Sequence, residues 1–389
     1  MKTIIALFIL FSGSFSSIYA QKSTYLEKAK TSFDSIYKYY GIQDSKLLRE
    51  HYPFKGDFKA DYLGGGENAN KVNPYAYLWP YSGSLSAYVA LYEISKNKTV
   101  KQEIDNKVLT GLENYYDKRE PKGYASYVNS APLSDRFYDD NVWLGIDFTD
   151  LYLLTKEQKY LDKAKEIWAF VASGMDEKLG GGIYWCEQRK ESKNTCSNAP
   201  SIVSLAKLYE ATKEKKYLEL AKEIYTWTQS NLIDQKDHVY FDNINIQGRV
   251  DERKYSYNSG QMIQAGALLY KITKDKKYLS DAQNVAKGTF KEFFATTENG
   301  NERPKALFKT SNNWFIAVMV RGFVELYKQD KNKTYVEAIQ QNLDYAWSNM
   351  RATNGLFSKE WHNRNKKEDS KWLLDQFAMV EMYCRLTDI

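Results

Sequence analysis

"LYLLTKEQKYL" at 151–161, "LYEATKEKKYL" at 208–218 and "LYKITKDKKYL" at 269–279 are one phrase written three times. Looser copies stand at 91–100 ("LYEISKNKTV") and 326–336 ("LYKQDKNKTYV"). Their tyrosines, Tyr92, Tyr152, Tyr209, Tyr270 and Tyr327, are 60, 57, 61 and 57 residues apart, and 56 more reach Tyr383 in "EMYCRLTDI". A fixed period outranks local propensity as a guide to architecture. The chain therefore contains six copies of one unit.

Each unit splits into two helices of different character. The first is apolar nearly all round, as in "NVWLGIDFTDLYLLT" (141–155) and "APSIVSLAKLYEATK" (199–213), and must be buried. The second is amphipathic. In "KYLDKAKEIWAFVAS" (159–173), Tyr160, Leu161, Ala164, Ile167, Trp168 and Val171 share one face. Another helix of this type opens at about residue 22. Six hairpins, apolar helices inside and amphipathic ones outside, predict an all-α (α/α)6 toroid over residues 21–389. An open solenoid satisfies the same pattern, but its common repeats are shorter, roughly 34–47 residues.

The connections are unequal. Inner-to-outer turns are short and lysine-rich. Outer-to-inner loops are long, roughly 41–73, 118–136, 175–197, 233–255, 295–311 and 351–370, and several hold strand-like runs such as "GGIYWCEQ" and "HVYFDNIN". Long loops tend to carry function, and all six fall on the face where the inner helices begin.

On that face the second inner helix starts with Asp139 and Asp140 side by side. Asp is favoured at a helix start, so capping is the plain explanation. One Asp suffices for that. Two adjacent carboxyls in an apolar setting repel each other and resist desolvation, which keeps one protonated. Two-carboxylate sugar chemistry needs that division: one ionised group and one acid.

Other residues on the same face are candidate glycan contacts. Trp79 and Tyr81 flank Pro80 at the first inner helix, where they can stack on a sugar or staple the helix. Trp185 sits in a Gly-rich loop and is placed for stacking. Asn198, Tyr257 and Asn258 stand at the starts of inner helices three and four, with capping as the rival role for the amides. Phe308 and Lys309 are read as opening the fifth inner helix. Asp375 and Gln376, in the last, are equally suited to internal polar pairing. His51, His238 and His362 all lie in loops, which disfavours a histidine acid/base pair of the kind used by sugar epimerases.

"YDDNVWL" (138–144), within this six-hairpin pattern, resembles glycoside hydrolase family 76, the endo-α-1,6-mannanases. Supporting stretches are "NPYAYLWPYSG", "GGGIYWCEQ", "CSNAPSIVSLAKLYE", "YSYNSGQMIQAGALLY", "ALFKTSNNWFIAVMVRGF" and "DQFAMVEMY". "FKTSNNWFIAVMVRGF" is looser than the usual run there. The resemblance implies retaining hydrolysis of an α-1,6-linked mannan or its oligosaccharides, with Asp139 matching the nucleophile and Asp140 the general acid/base. A non-catalytic glycan-binding helical protein, or another (α/α)6 glycosidase, is the alternative.

Composition sets the remaining bounds. Aromatics make up 15% of the 389 residues, with 32 Tyr and 9 Trp, whose flat faces and polar edges suit sugars as well as cores. Net charge is +6, but Lys is interspersed with Glu and Asp, so no basic stripe suggests nucleic acid. Lys2, the apolar run "TIIALFILF" and "SSIYA" make residues 1–20 a signal peptide, too short to span a membrane, and predict an exported, periplasmic or secreted protein. No other segment reads as a membrane span. "YLGGGEN" (62–68) is Gly-rich but opens no helix after a strand, so it is a poor nucleotide loop. No metal or cofactor is expected, and a monomer is. Cys186 and Cys196, ten residues apart in one loop, are candidates for a disulfide, with free thiols as the alternative.

Overall fold

The computed structural model describes residues 24–56, 59–60, 74–297, 303–309, 312–363 and 365–389. The proposed signal peptide and "YLGGGEN" lie outside them. Helix α1 (24–40) is the first outer helix. The inner helix α2 (Leu78–Ser95) follows, then an outer helix in three pieces: α3 (Lys98–Glu103), a π-turn (Ile104–Leu109) and α4 (Thr110–Leu112). Alternation then continues through α5 (Tyr138–Thr155), α6 (Gln158–Ala172), α7 (Thr195–Thr212), α8 (Lys215–Leu232), α9 (Ser256–Thr273) and α10 (Lys276–Phe293). It finishes with α11 (Asn313–Asp330), α12 (Thr334–Asn349) and α13 (Leu373–Arg385).

Inner helix packs on inner helix in sequence, α2 on α5, α5 on α7, α7 on α9, α9 on α11 and α11 on α13. Helix α13 then returns to α2. That last contact closes the ring and excludes the open solenoid; the fold is an (α/α)6 toroid. The amphipathic reading of α6 holds at residue level, since Tyr160, Leu161, Ala164, Ile167, Trp168 and Val171 are all buried, with Phe170 added. Inner helices approach very closely where glycine allows. A Cβ on Gly322 of α11 would lie 2.1 Å from the Gly260 carbonyl oxygen of α9, so the two backbones are in direct contact.

The repeated phrase is a helix stop. Lys96, Lys156, Lys213, Lys274 and Lys331 take left-handed φ between 50° and 62°. Each donates its backbone N–H to the carbonyl of the tyrosine four residues earlier, ending the inner helix. A side chain in that conformation costs about 1 kcal/mol. The ammonium offsets part of it by lying over the same tyrosine ring, 5.4 to 5.9 Å from its centre, at the negative end of the helix dipole.

The long loops pair with one another across the opposite face. His51–Tyr52 pairs with Lys371–Trp372, joining the first loop to the last. Ser192–Asn194, Phe241–Asn245 and Val250–Lys254 form a three-stranded antiparallel sheet from loops three and four. "HVYFDNIN" therefore supplies a strand, whereas "GGIYWCEQ" makes only single bridges. Among the described residues no helix is long and apolar enough to cross a membrane.

Candidate active site

A cavity of about 560 Å³ opens where the inner helices begin. Its floor follows a simple rule of register. The second helical residue of α2, α5, α7, α9 and α11 is Trp79, Asp139, Cys196, Tyr257 and Trp314, and all five line the cavity. Two residues further along a helix is about 200° round its axis, so the fourth residue points away from the axis of the toroid. The amides Asn141 and Asn198 occupy that fourth position, as does Gln376 in α13, and they clamp the loop backbone instead. Asn198 accepts from Ile183 N (2.8 Å) and donates to the carbonyls of Ile183 and Asn194. Asn141 holds Tyr124, and Gln376 holds Phe357, in the same two-way manner.

That geometry corrects several sugar-contact expectations. Asn198 has no donor left for a ligand. Tyr81, also a fourth residue, is buried with its hydroxyl 3.1 and 3.0 Å from the Lys46 and Val108 carbonyls. Asn258 is wholly buried beside Asp242. Phe308 and Lys309 do not open α11, which starts at Asn313. Phe308 is in a strand, packed on Phe294 and Trp361, and Lys309 is exposed with its Nζ 3.5 Å from the Lys291 carbonyl. Asp375 and Gln376 serve internal pairing, Asp375 accepting from Asn313 N at 2.7 Å. Cys186 and Cys196 are free buried thiols, not a disulfide. Trp79, Trp185, Tyr257 and both aspartates do converge on the cavity.

The sequence did not single out the rest of the lining. Trp143, one turn below the aspartates, and Trp314 meet edge to face at 5.2 Å, and Trp314 meets Trp79 in the same way at 5.2 Å. Phe315 stacks on Tyr257 at 4.3 Å. The three-stranded sheet forms a polar wall with Asp242, Asn243 and Arg253. Burial raises the Asp242 carboxyl, which accepts from Asn243 Nδ2 at 3.0 Å and lies 3.6 Å from Arg253. None of the three histidines lines the cavity, and among the described residues no group of His, Cys, Asp or Glu is arranged to hold a metal ion.

The two aspartates are not equivalent. The cap residue of α5 is Phe137, which puts both carboxyls inside the first turn. Asp139 Oδ1 accepts from the Asp140 backbone N–H (3.0 Å), and Oδ2 accepts from Trp185 Nε1 (3.0 Å). Burial raises Asp139 to about 6, with those donors and the Cys196 thiol holding it back. Asp140 has no such support. Burial, and then the charge of Asp139, push it well above the usual carboxylate range. The donors gathered on Asp139 favour the state with a carboxylate there beside a carboxylic acid at Asp140.

The family model described as glycosyl hydrolase family 76 matches residues 25–387. The chain belongs to that family. Family 76 also supplies similar solved structures. One is the mannosidase Bt3792 of Bacteroides thetaiotaomicron, 32% identical with a TM-score of 0.83, covering 94% of this chain and 98% of that one. Another is the α-1,6-mannanase GH76A of Salegentibacter sp., 23% identical with a TM-score of 0.73, covering 93% and 99%, a likeness of fold. It was solved with α-1,6-mannotriose as an inactive variant in which two adjacent aspartates are asparagine. A curated relative, the mannan endo-1,6-alpha-mannosidase DCW1 of Candida glabrata, is 24% identical over 239 residues, 55% of this chain and 50% of that protein. The chain thus spans about half the length of the curated relatives it matches.

Proposed function

We propose that the protein is an exported, retaining endo-α-1,6-mannanase that works by double displacement. The observation that carries this is the unequal aspartate pair at the cavity floor. Protonated Asp140 donates to the glycosidic oxygen while ionised Asp139 attacks the anomeric carbon, breaking the glycosidic bond and forming a mannosyl ester. Asp140, now ionised, takes a proton from water, whose oxygen attacks the anomeric carbon and breaks its bond to Asp139, freeing that carboxylate. Two inversions restore the α configuration. Trp79, Tyr257, Trp314 and Phe315 offer apolar faces to the pyranose rings, and the polar wall offers acceptors and donors to their hydroxyls. The inactive two-aspartate variant of the Salegentibacter enzyme and the names of the curated relatives support the choice of linkage. A purely glycan-binding protein could use the aromatic wall, but gains nothing from a buried, half-protonated pair.

Incubation with linear α-1,6-mannan should generate new reducing ends within the chain, first as α-anomers by NMR. The active species needs Asp139 ionised and Asp140 protonated. The rate should therefore rise with pH through about 6, where Asp139 ionises, and fall at higher pH as Asp140 loses its proton. First release of the β-anomer, or no cleavage of α-1,6-mannan, would reject the proposal.

A further inference from the structure

Trp185 meets the dyad from a loop, and that loop is built to aim it. Gly180, Gly181 and Gly182 all take positive φ (73°, 121° and 82°). Gly181 and Gly182 lie against Trp227, where a Cβ on Gly182 would come within 2.7 Å of the indole ring. Beyond them Asn198 clamps Ile183 in both directions. The Trp185 carbonyl then accepts from Tyr138 N (2.9 Å), and its own N–H reaches the Ser192 carbonyl (3.2 Å). Phe137 supports the ring at 4.9 Å. Held so, the indole N–H points at Asp139 Oδ2.

We propose that Trp185 is a positioning residue, whose indole N–H makes Asp139 rather than Asp140 the ionised member of the pair. This inference rests on Asp139 being the nucleophile, as proposed above. Charge from elsewhere does not break the symmetry. The titratable groups facing Asp139 are Asp140 of α5, Cys196 of α7, Tyr257 of α9 and, from the sheet, Asp242. The lining cation, Arg253, is engaged by Asp251 through a two-pronged pair. Fixed dipoles are what remains: the backbone N–H groups of Asp139 and Asp140, which any residue at those positions supplies, the weak S–H donor of Cys196, and the stronger N–H donor of the Trp185 indole. A stacking role, expected from the sequence, asks nothing of Nε1.

Trp185→Phe keeps an aromatic ring and removes the donor. A hydrogen bond to a charged group, weakened by competition from water, shifts a carboxyl by about one pH unit. The acid limb of kcat/KM on α-1,6-mannan should move up by about one pH unit, and kcat on the acid side should fall about tenfold, with KM within about twofold. If the phenylalanine variant does not fold, site-specific replacement of Trp185 by benzothienylalanine, which puts sulfur in place of N–H in a ring of the same shape, gives the same test. A raised KM with an unmoved acid limb would make Trp185 a stacking surface and overturn the proposal. A fall in melting temperature with an unmoved limb would overturn it too. Failure of the underlying assignment looks different: trapped mannosyl ester would be found on Asp140, in the native enzyme, whatever Trp185 does.

Discussion

Asp140→Ala is expected to lose about 10²- to 10⁴-fold in kcat on mannan and to recover on substrates whose leaving group needs no proton. Added azide should accelerate the second step and yield an α-mannosyl azide, since it attacks the ester without help from a base. Asp139→Ala should lose more and show neither recovery, and any azide product should carry the inverted β configuration. Rescue of the α product in the Asp139 variant alone would exchange the two roles. Stability should move the other way from activity. Asp139 titrates near 6 in the folded protein, above the unfolded value of about 3.9. A raised carboxyl is neutral in both states at low pH and opposes folding as pH rises through its folded value. Asp139→Asn and Asp140→Asn should therefore stabilise at pH 7, by about 2–3 kcal/mol for Asp139, and the gain should vanish near pH 4. Lower melting temperatures for both variants at pH 7 would favour the capping role.

Glu381→Gln should produce the reverse. Glu381 of α13 is buried inside the ring, accepting from Arg321 Nε (2.7 Å), Arg321 Nη2 (2.8 Å) and Arg385 Nε (2.5 Å). Burial works against its charge, but the two guanidiniums win and bring it down to about 2. Neutralising it leaves both arginines in low dielectric, at a cost of about 3–5 kcal/mol. A lowered carboxyl stabilises above its unfolded value and loses that contribution as pH falls toward 2. The native protein should therefore weaken from about pH 4 downward, and Glu381→Gln should flatten that part of the curve. Because Arg321 also lies 5.6 Å from the Trp143 ring under the cavity, some loss of activity should accompany the loss of stability. A variant within 1 kcal/mol of the native protein would show that the arginines find other partners or water.

These residues differ in how far the chain announces them. The toroid was legible because Leu-Tyr and the lysine after it mark where five of the six inner helices stop, and a stop repeated every 57–61 residues is local chemistry. Asp139 and Asp140 were legible because like charges seldom sit together in an apolar run. Asn198 and Tyr81 were misassigned by half a helical turn. They begin inner helices as Asp139 does, but two residues later, which turns them from the axis toward the loops. Counting from each helix start would have exposed Cys196 and Trp314, had the starts been known to the residue. Asp242 and Asn243 stood in a strand-like run, but nothing marked them or Arg253 as cavity residues. They reach the cavity only because loop four pairs with Ser192–Asn194 of loop three, a non-local contact that no periodicity encodes.

Trp79, Trp143, Trp185 and Trp314 are four of the nine tryptophans of the chain, and all border one cavity. Indoles respond to the polarity and quenching groups around them, and three of these four sit edge to face at 5.2 Å. The protein thus carries its own optical reporter. Filling the cavity with an oligosaccharide should change native fluorescence and near-ultraviolet circular dichroism with no label attached. In the inactive Asp139→Asn form, that signal can be titrated with the sugar left intact.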